Sequence, residues 1–237
     1  MQKLTDAVVL VTGANGGIGT EFVRQALEKG AAKVYATART PKSWDDNRVV
    51  PLRLDVTDSA SRAAAAEAAQ DVTVLINNAG IVIDGDSISA LSEDEIRRTM
   101  ESNFFGPVLL ARTFAPILGA HASSVLIDIH SIASWYAWGG VYSASKAALW
   151  SATNSLRLEL APQGTHVVGV HMGYVDTAMA AQASGPKMDP HELVRLVLET
   201  VENDGYEVIA DELTASVKAA LSGPIAVMYP ELHEHSA

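Results

Sequence analysis

Short apolar runs rich in β-branched residues recur at 7–12, 33–37, 50–54, 72–77, 125–130, 166–171 and 207–210. Between and after them lie helix-patterned stretches at 17–29, 59–69, 92–118, 142–160, 190–202 and 212–221. Strands without a polar face belong in a parallel sheet, because the crossover helices cover both of its sides. Strict β/α order with right-handed crossovers predicts an α/β fold: an open, doubly wound parallel sheet of about seven strands with helices on both faces. The stretch 39–49 interrupts the pattern, since Pro41 and a polar middle leave room for no more than one helical turn. That crossover is expected to be abbreviated. No repeat, low-complexity tract or linker divides the chain, and Ala63 to Ala66 read as helix, so residues 1–237 are expected to form one domain.

The formal net charge of -11 and the absence of a Lys/Arg cluster argue against nucleic-acid and anionic-membrane partners, leaving a small molecule. No cysteine is present, which removes disulfides, thiolate catalysis and cysteine-based metal centres. The N-terminal MQKLTDAVVLVTG runs directly into a strand-like stretch too short for a signal core or a membrane span. The protein is therefore expected to be soluble and cytoplasmic.

The first strand is followed at once by T12-G13-A14-N15-G16-G17-I18-G19 and then by an amphipathic helix. Glycines between strand and helix permit a tight turn, close approach of a pyrophosphate to the backbone, and an anion at the positive helix end. The spacing G-x-x-x-G-x-G differs from the common G-x-G-x-x-G, but its position opens a βαβ unit and predicts a dinucleotide site. The second strand ends T37-A38-R39. An NAD site usually places a carboxylate there for the ribose 2′-hydroxyl; Ala38 cannot serve, whereas Arg39 offers a planar fork for a 2′-phosphate and a stacking surface for adenine. NADP(H) is expected over NAD(H), although Asn15 stands where a second basic residue would strengthen that choice.

Tyr142 and Lys146 lie four residues apart in V-Y-S-A-S-K, on one face of a small-residue helix. A cation beside a phenol favours phenolate, so Lys146 is expected to lower the Tyr142 pKa from about 10 and make it an acid/base. Taken with the glycine turn, L54-D55-V56, N77-N78-A79-G80, N103-F104-F105-G106, Ser131 and G173-Y174-V175-D176-T177, this set resembles the short-chain dehydrogenase/reductase family over nearly the whole chain. The resemblance implies a Rossmann-like domain whose cofactor is held by Gly13, Asn15, Gly17, Ile18, Gly19, Arg39, Asp55, Val56, Asn77, Ala79, Gly80, Tyr142, Lys146, Gly173, Val175 and Thr177. It implies a catalytic group of Asn103, Ser131, Tyr142 and Lys146. In this reading Tyr142 passes the proton, Lys146 also holds the nicotinamide ribose, and Ser131 polarises the substrate oxygen. Asn103 keeps a helix distortion and an ordered water.

Two departures from the family pattern stand out. Ser131 precedes Tyr142 by eleven residues, so the loop between them should be short, with Ser134 as a competitor for the serine role. Met172 replaces the proline usual before Gly173. His130 and His171 end apolar strands without a third ligand, and His233 and His235 have a weaker claim, so no metal is expected. Trp135, Tyr136, Trp138, Met172, Tyr174 and Met179 predict an apolar or aromatic pocket beneath a brief lid near 178–190. The small and apolar residues of 92–118 and 142–160 predict a homotetramer, or else a dimer, packed through those helices. The expected activity is hydride transfer between nicotinamide and a ketone, an aldehyde or a secondary alcohol, that of a carbonyl reductase or alcohol dehydrogenase. A cofactor-sensing regulator without catalysis is the alternative.

Overall fold

The computed structural model describes residues 4–83 and 87–234; His235 lies outside these residues. Seven parallel strands form one sheet in the order β3-β2-β1-β4-β5-β6-β7. They are β1 Val8–Thr12, β2 Lys33–Ala38, β3 Val49–Arg53, β4 Val74–Asn77, β5 Ser124–Ile129, β6 Thr165–His171 and β7 Glu207–Ile209. The order reverses between β1 and β4, so their carboxyl ends diverge into a crevice, the position where such sheets bind ligands.

Alternation along each strand divides the core. Val9 and Val11 of β1, Val74 and Ile76 of β4, and Val125 and Ile127 of β5 face Phe22 and Val23 of α1 (Gly17–Glu28) and Leu193 and Val197 of α6 (Pro190–Glu202). Leu10, Leu75 and Leu126 face the other way, onto Ala65 of α2 (Ser59–Ala68) and Leu110 and Phe114 of α4 (Gly106–Gly119). At their carboxyl ends β4 and β5 continue this second face with Asn77 and Asp128, both buried and polar. Full burial of a side chain such as Phe22 or Phe114 contributes about 1.5–3 kcal/mol, so the sheet is held from both faces.

The expected crossover after β2 contains no helix. The stretch expected as one helix over 92–118 is instead α3 (Glu93–Met100), a π-helical turn (Glu101–Phe105) and α4. α3 opens with a capping box in which the Ser92 hydroxyl and the Glu95 carboxylate each bond the other's main-chain N–H. The π turn puts Gly106 against Val56, where a Cβ would lie 2.9 Å from Val56 Cγ2. α5 runs Gly140–Leu160, starting two residues before Tyr142, and α7 (Glu212–Ala220) is followed by the short α8 (Ile225–Met228) and α9 (Glu231–Glu234).

Candidate active site

The glycine turn is shaped by two residues in left-handed backbone, Gly13 at φ +66° and Gly17 at φ +50°. At Gly19 a Cβ would lie 2.3 Å from the Gly13 carbonyl, so only hydrogen fits. The end of β4 is stapled to this turn: Thr12 Oγ1 accepts from the N–H groups of Asn78 and Ala79, both at 2.9 Å, and Asn78 Nδ2 donates to Thr12 O at 2.8 Å. Gly16 caps α1 without a side-chain acceptor, so the first amides of the helix face the crevice uncapped by any side chain.

Arg39 is exposed at the end of β2. Beside it Lys42 donates from Nζ to Asn15 O and to Thr20 Oγ1, both at 3.2 Å, and lies 4.3 Å from the centre of the Trp44 ring. Neither cation has a carboxylate ion-pair partner among the described residues. Asn15 itself straps the crossover down, donating to Thr40 O at 2.7 Å and accepting from Lys42 N at 3.2 Å. Asp55 accepts from the Thr57 hydroxyl and N–H, and those bonds, with the charges of Arg39 and Arg53, hold its carboxyl below the usual value. The uncapped helix end and the cations without carboxylate partners fit the phosphates of a dinucleotide on this rim.

Lys146 and Tyr142 project from α5 toward the end of β5. Lys146 is 5% exposed, donates from Nζ to Ile129 O at 2.8 Å, and lies 5.7 Å from the centre of the Tyr142 ring. Burial pushes its ammonium down to about 8 from the usual 10.5. The Ser131 hydroxyl acts on the Tyr142 phenol to lower its pKa, yet burial outweighs that influence and raises it above the usual 10. The expected depression of the phenol by Lys146 is therefore not what this geometry produces. The ammonium bonds a carbonyl and lies over the ring, and desolvation disfavours the phenolate.

Ser131 also accepts from Ala133 N at 3.1 Å, opening a 3-10 turn over Ile132–Ser134. With a second such turn over Ala137–Gly139, this takes up the short interval to Tyr142. Ser134 Oγ is buried without a partner, and of the two serines it is Ser131 whose hydroxyl acts on Tyr142. Asn103, at the centre of the π turn, accepts from Ile81 N and donates to Ile81 O, both at 2.8 Å, and to Ser145 Oγ at 3.1 Å. Gly80 closes the group, since a Cβ there would lie 3.2 Å from Asn103 Oδ1 and 3.7 Å from Lys146 Nζ.

Other expected residues distribute differently. Asn77 spends its amide on Asp128 Oδ1 at 2.9 Å and Pro107 O at 3.2 Å, so its side chain is turned from the crevice. Val56 packs on Gly106 as described, while Ile18 packs against the α1 and α6 side of the core. Gly173 N donates to Asp211 Oδ2 at 2.8 Å, Val175 bridges Met188, and the Thr177 methyl would meet a Cβ on Gly17 at 2.9 Å. The segment 178–190 is thus tied back at Met188.

Of the aromatic and methionine side chains, Trp135 and Met172 enter the core, Trp135 stacking on His171 at 3.9 Å between ring centres. Tyr136, Trp138, Tyr174 and Met179 stay toward the surface, with Trp138 edge-on to Tyr174 at 4.9 Å. His130 and His171 do approach, stacked at 4.7 Å, and burial holds both neutral. Among the described residues no group of three or more potential metal ligands occurs.

Three residues escaped the sequence reading. Lys42 and Asp128 carried a visible signal, a cation in the abbreviated crossover and a charge inside an apolar run. Tyr229 carried none: it stacks on Tyr136 at 5.1 Å and accepts from Ala137 N at 2.9 Å, bracing the loop between Ser131 and Tyr142 from the far end of the chain.

A phosphate-ready glycine turn at the strand-order reversal, with a serine, tyrosine and lysine converging beyond it, defines a nicotinamide-dependent oxidoreductase site. The family described as short chain dehydrogenase matches residues 7–187, and the chain belongs to it. A short-chain dehydrogenase of Burkholderia cenocepacia J2315, solved in complex with NADP, superposes with a TM-score of 0.90 at 33% identity, covering 98% of this chain and 99% of that one. A ketoacyl reductase of Nostoc sp. is 31% identical over 90% of this chain and 81% of its own length. A short-chain dehydrogenase of Penicillium crustosum is 39% identical over 71% of this chain, which spans 66% of that relative's length.

Proposed function

We propose that the protein is an NADP(H)-dependent carbonyl reductase or secondary-alcohol dehydrogenase acting on apolar or aromatic substrates. The observation that carries this reading is the convergence of Ser131, Tyr142 and Lys146, in which a half-buried tyrosine lies between a serine hydroxyl that acts on its phenol and a buried ammonium 5.7 Å from its ring centre. When bound, the nicotinamide supplies or accepts hydride. Arg39 and Lys42 hold the 2′-phosphate, the turn from Gly13 to Gly19 holds the pyrophosphate, and Lys146 holds the nicotinamide ribose. Gly173, Val175 and Thr177 take the carboxamide side.

In reduction Tyr142 donates its proton to the substrate oxygen, and in oxidation it removes that proton. A phenol kept protonated by burial suits the reductive direction. Ser131 donates a hydrogen bond to the oxygen as charge develops there. Asn103 fixes the π turn and, through Ile81 and Ser145, the walls around Lys146. The aromatic side chains of Tyr136, Trp138 and Tyr174 and the thioether of Met179 favour an apolar substrate. Supporting NADP(H), the Burkholderia relative carries that cofactor.

Residues 1–237 act in this reading as one catalytic domain with 178–190 as its lid, in the cytoplasm. No helix among the described residues is long and apolar enough to cross a membrane. Phe105 and Leu158, exposed large side chains on the π turn and on α5, favour a homotetramer, or a dimer, packed through these helices. Light scattering at micromolar concentration tests the assembly. The activity is tested by following reduced nicotinamide absorbance with aryl and alkyl ketones and both cofactors; no oxidation of NADPH by any carbonyl, with NADPH bound, would overturn it.

A further inference from the structure

Asp128 is a fully buried carboxylate on β5, on the face that also carries Leu126 and Ser124. Its two oxygens are both occupied, Oδ1 by Asn77 Nδ2 at 2.9 Å and Oδ2 by Thr153 Oγ1 at 2.7 Å. Those bonds join β4, β5 and α5. A neutral asparagine could make two bonds of the same length, so the structural task alone does not call for a charge. A buried carboxylate without a cationic partner costs several kcal/mol, and so does a buried ammonium.

The cation is close at hand. Lys146 lies two turns before Thr153 on α5, on the same face, and its Nζ bonds the carbonyl of Ile129, the residue that follows Asp128. The ammonium thus sits one residue beyond the carboxylate along the same strand, bonded to a carbonyl rather than to the carboxylate itself. The groups facing this position are Asp128 and His130 from β5, His171 from β6, and Tyr142 and Arg157 from α5. Burial keeps both histidines neutral and Tyr142 protonated; it also raises the Asp128 carboxyl, while the bonds from Thr153 and Asn77 and the charges of Lys146 and Arg157 pull it back toward the ionised form. Asp128 is the carboxylate whose charge acts on Lys146.

We propose that Asp128 is a positioning residue that provides the buried counter-charge of Lys146 and so holds it as an ammonium at the floor of the active site. It touches neither substrate nor cofactor and acts through Lys146 alone. Without that charge, desolvation acts unopposed and Lys146 releases its proton at lower pH. An enzyme that needs the ammonium then loses function earlier as pH rises.

The test is a titration of Lys146 by NMR in the full chain with 13Cε-labelled lysine, its signal assigned by absence in Lys146→Met. Asp128→Asn should lower the Lys146 midpoint by about one unit or more. Thr153→Val, which weakens the ionised carboxylate without deleting it, should lower the midpoint by less. A folded Asp128→Asn protein with an unmoved midpoint overturns the proposal, and if that variant does not fold, an unmoved midpoint in Thr153→Val does so. A second readout rests on the carbonyl-reductase reading: the basic limb of the turnover profile should move acidward with the midpoint. If the wild type reduces no carbonyl, the activity reading fails while the titration still decides the counter-charge.

Discussion

The two sides of the crevice are built by opposite means. The rim formed by β1, β2 and the glycine turn relies on backbone, with positive φ at Gly13 and Gly17 and uncapped amides of α1, and on two exposed cations, Arg39 and Lys42, the second held by neutral oxygens. The side formed by β5 and α5 relies on buried side chains, with Lys146, Ser131, Asn103 and Asp128 all nearly or fully inaccessible. A backbone site grips an anion of any identity, and its selectivity lies in a few surface charges. A buried side-chain site tunes proton affinity, because each charge there feels its neighbours through a medium of low polarity. Changes on the rim should therefore alter which cofactor binds, and changes on the inner side should alter what is done with it.

Tyr142→Phe should break that comparison most sharply, lowering turnover by about 10²–10⁴-fold while leaving NADPH affinity within about twofold, since it deletes a proton and little surface. Steady-state kinetics and a fluorescence titration of NADPH measure the two together. A similar loss in both would mean that Tyr142 belongs to binding.

On the rim, Arg39→Ala should weaken NADPH relative to NADH by about ten- to hundredfold, equivalent to about 1.5–3 kcal/mol, because only the 2′-phosphate loses a charge-assisted pair. Ala38→Asp should move preference the same way with Arg39 retained, by supplying a ribose acceptor that repels the phosphate. The ratio of kcat/KM for the two cofactors reads both, free of losses in active fraction.

Acid should expose the inner side. His171 is fully buried and stacked, and burial pushes its pKa down from 6.5 to about 3. Between those values the unfolded chain binds a proton that the folded chain refuses, so its contribution is intact above pH 6.5 and is lost as pH falls toward 3. By pH 5 the loss should reach about 2 kcal/mol in urea unfolding. His171→Phe, which keeps a ring on Trp135, should flatten that slope; an unaltered slope would assign it to His130, which burial also holds neutral.

The smallest effect is expected at Lys42. It is exposed and its ammonium is already engaged by Asn15 O and Thr20 Oγ1, so Lys42→Met should lower the NADPH to NADH ratio by only about two- to fivefold, with thermal stability unchanged. A loss as large as that of Arg39→Ala would make the crossover, rather than the strand end, the main phosphate anchor.

Alternation of apolar runs and helical patterns determined the sheet and its layers, because burial on both faces leaves a chain of this order one way to cover its strands. The glycine turn was equally legible, since its glycines answer to local backbone and to close approach. The π turn was not legible as a break in the pattern of 92–118. Its register depends on Asn103 reaching Ile81 and Ser145, neighbours remote in sequence. Distance in sequence likewise hid Tyr229 behind the loop between Ser131 and Tyr142 and the bonds that Asn77 and Thr153 make to Asp128. Sequence placed Tyr142 and Lys146 on one helix face, because helical spacing is local. Only the tertiary structure decided that burial raises the phenol and lowers the ammonium, because proton affinity is set by which groups the whole fold removes from water and which charges it leaves beside them.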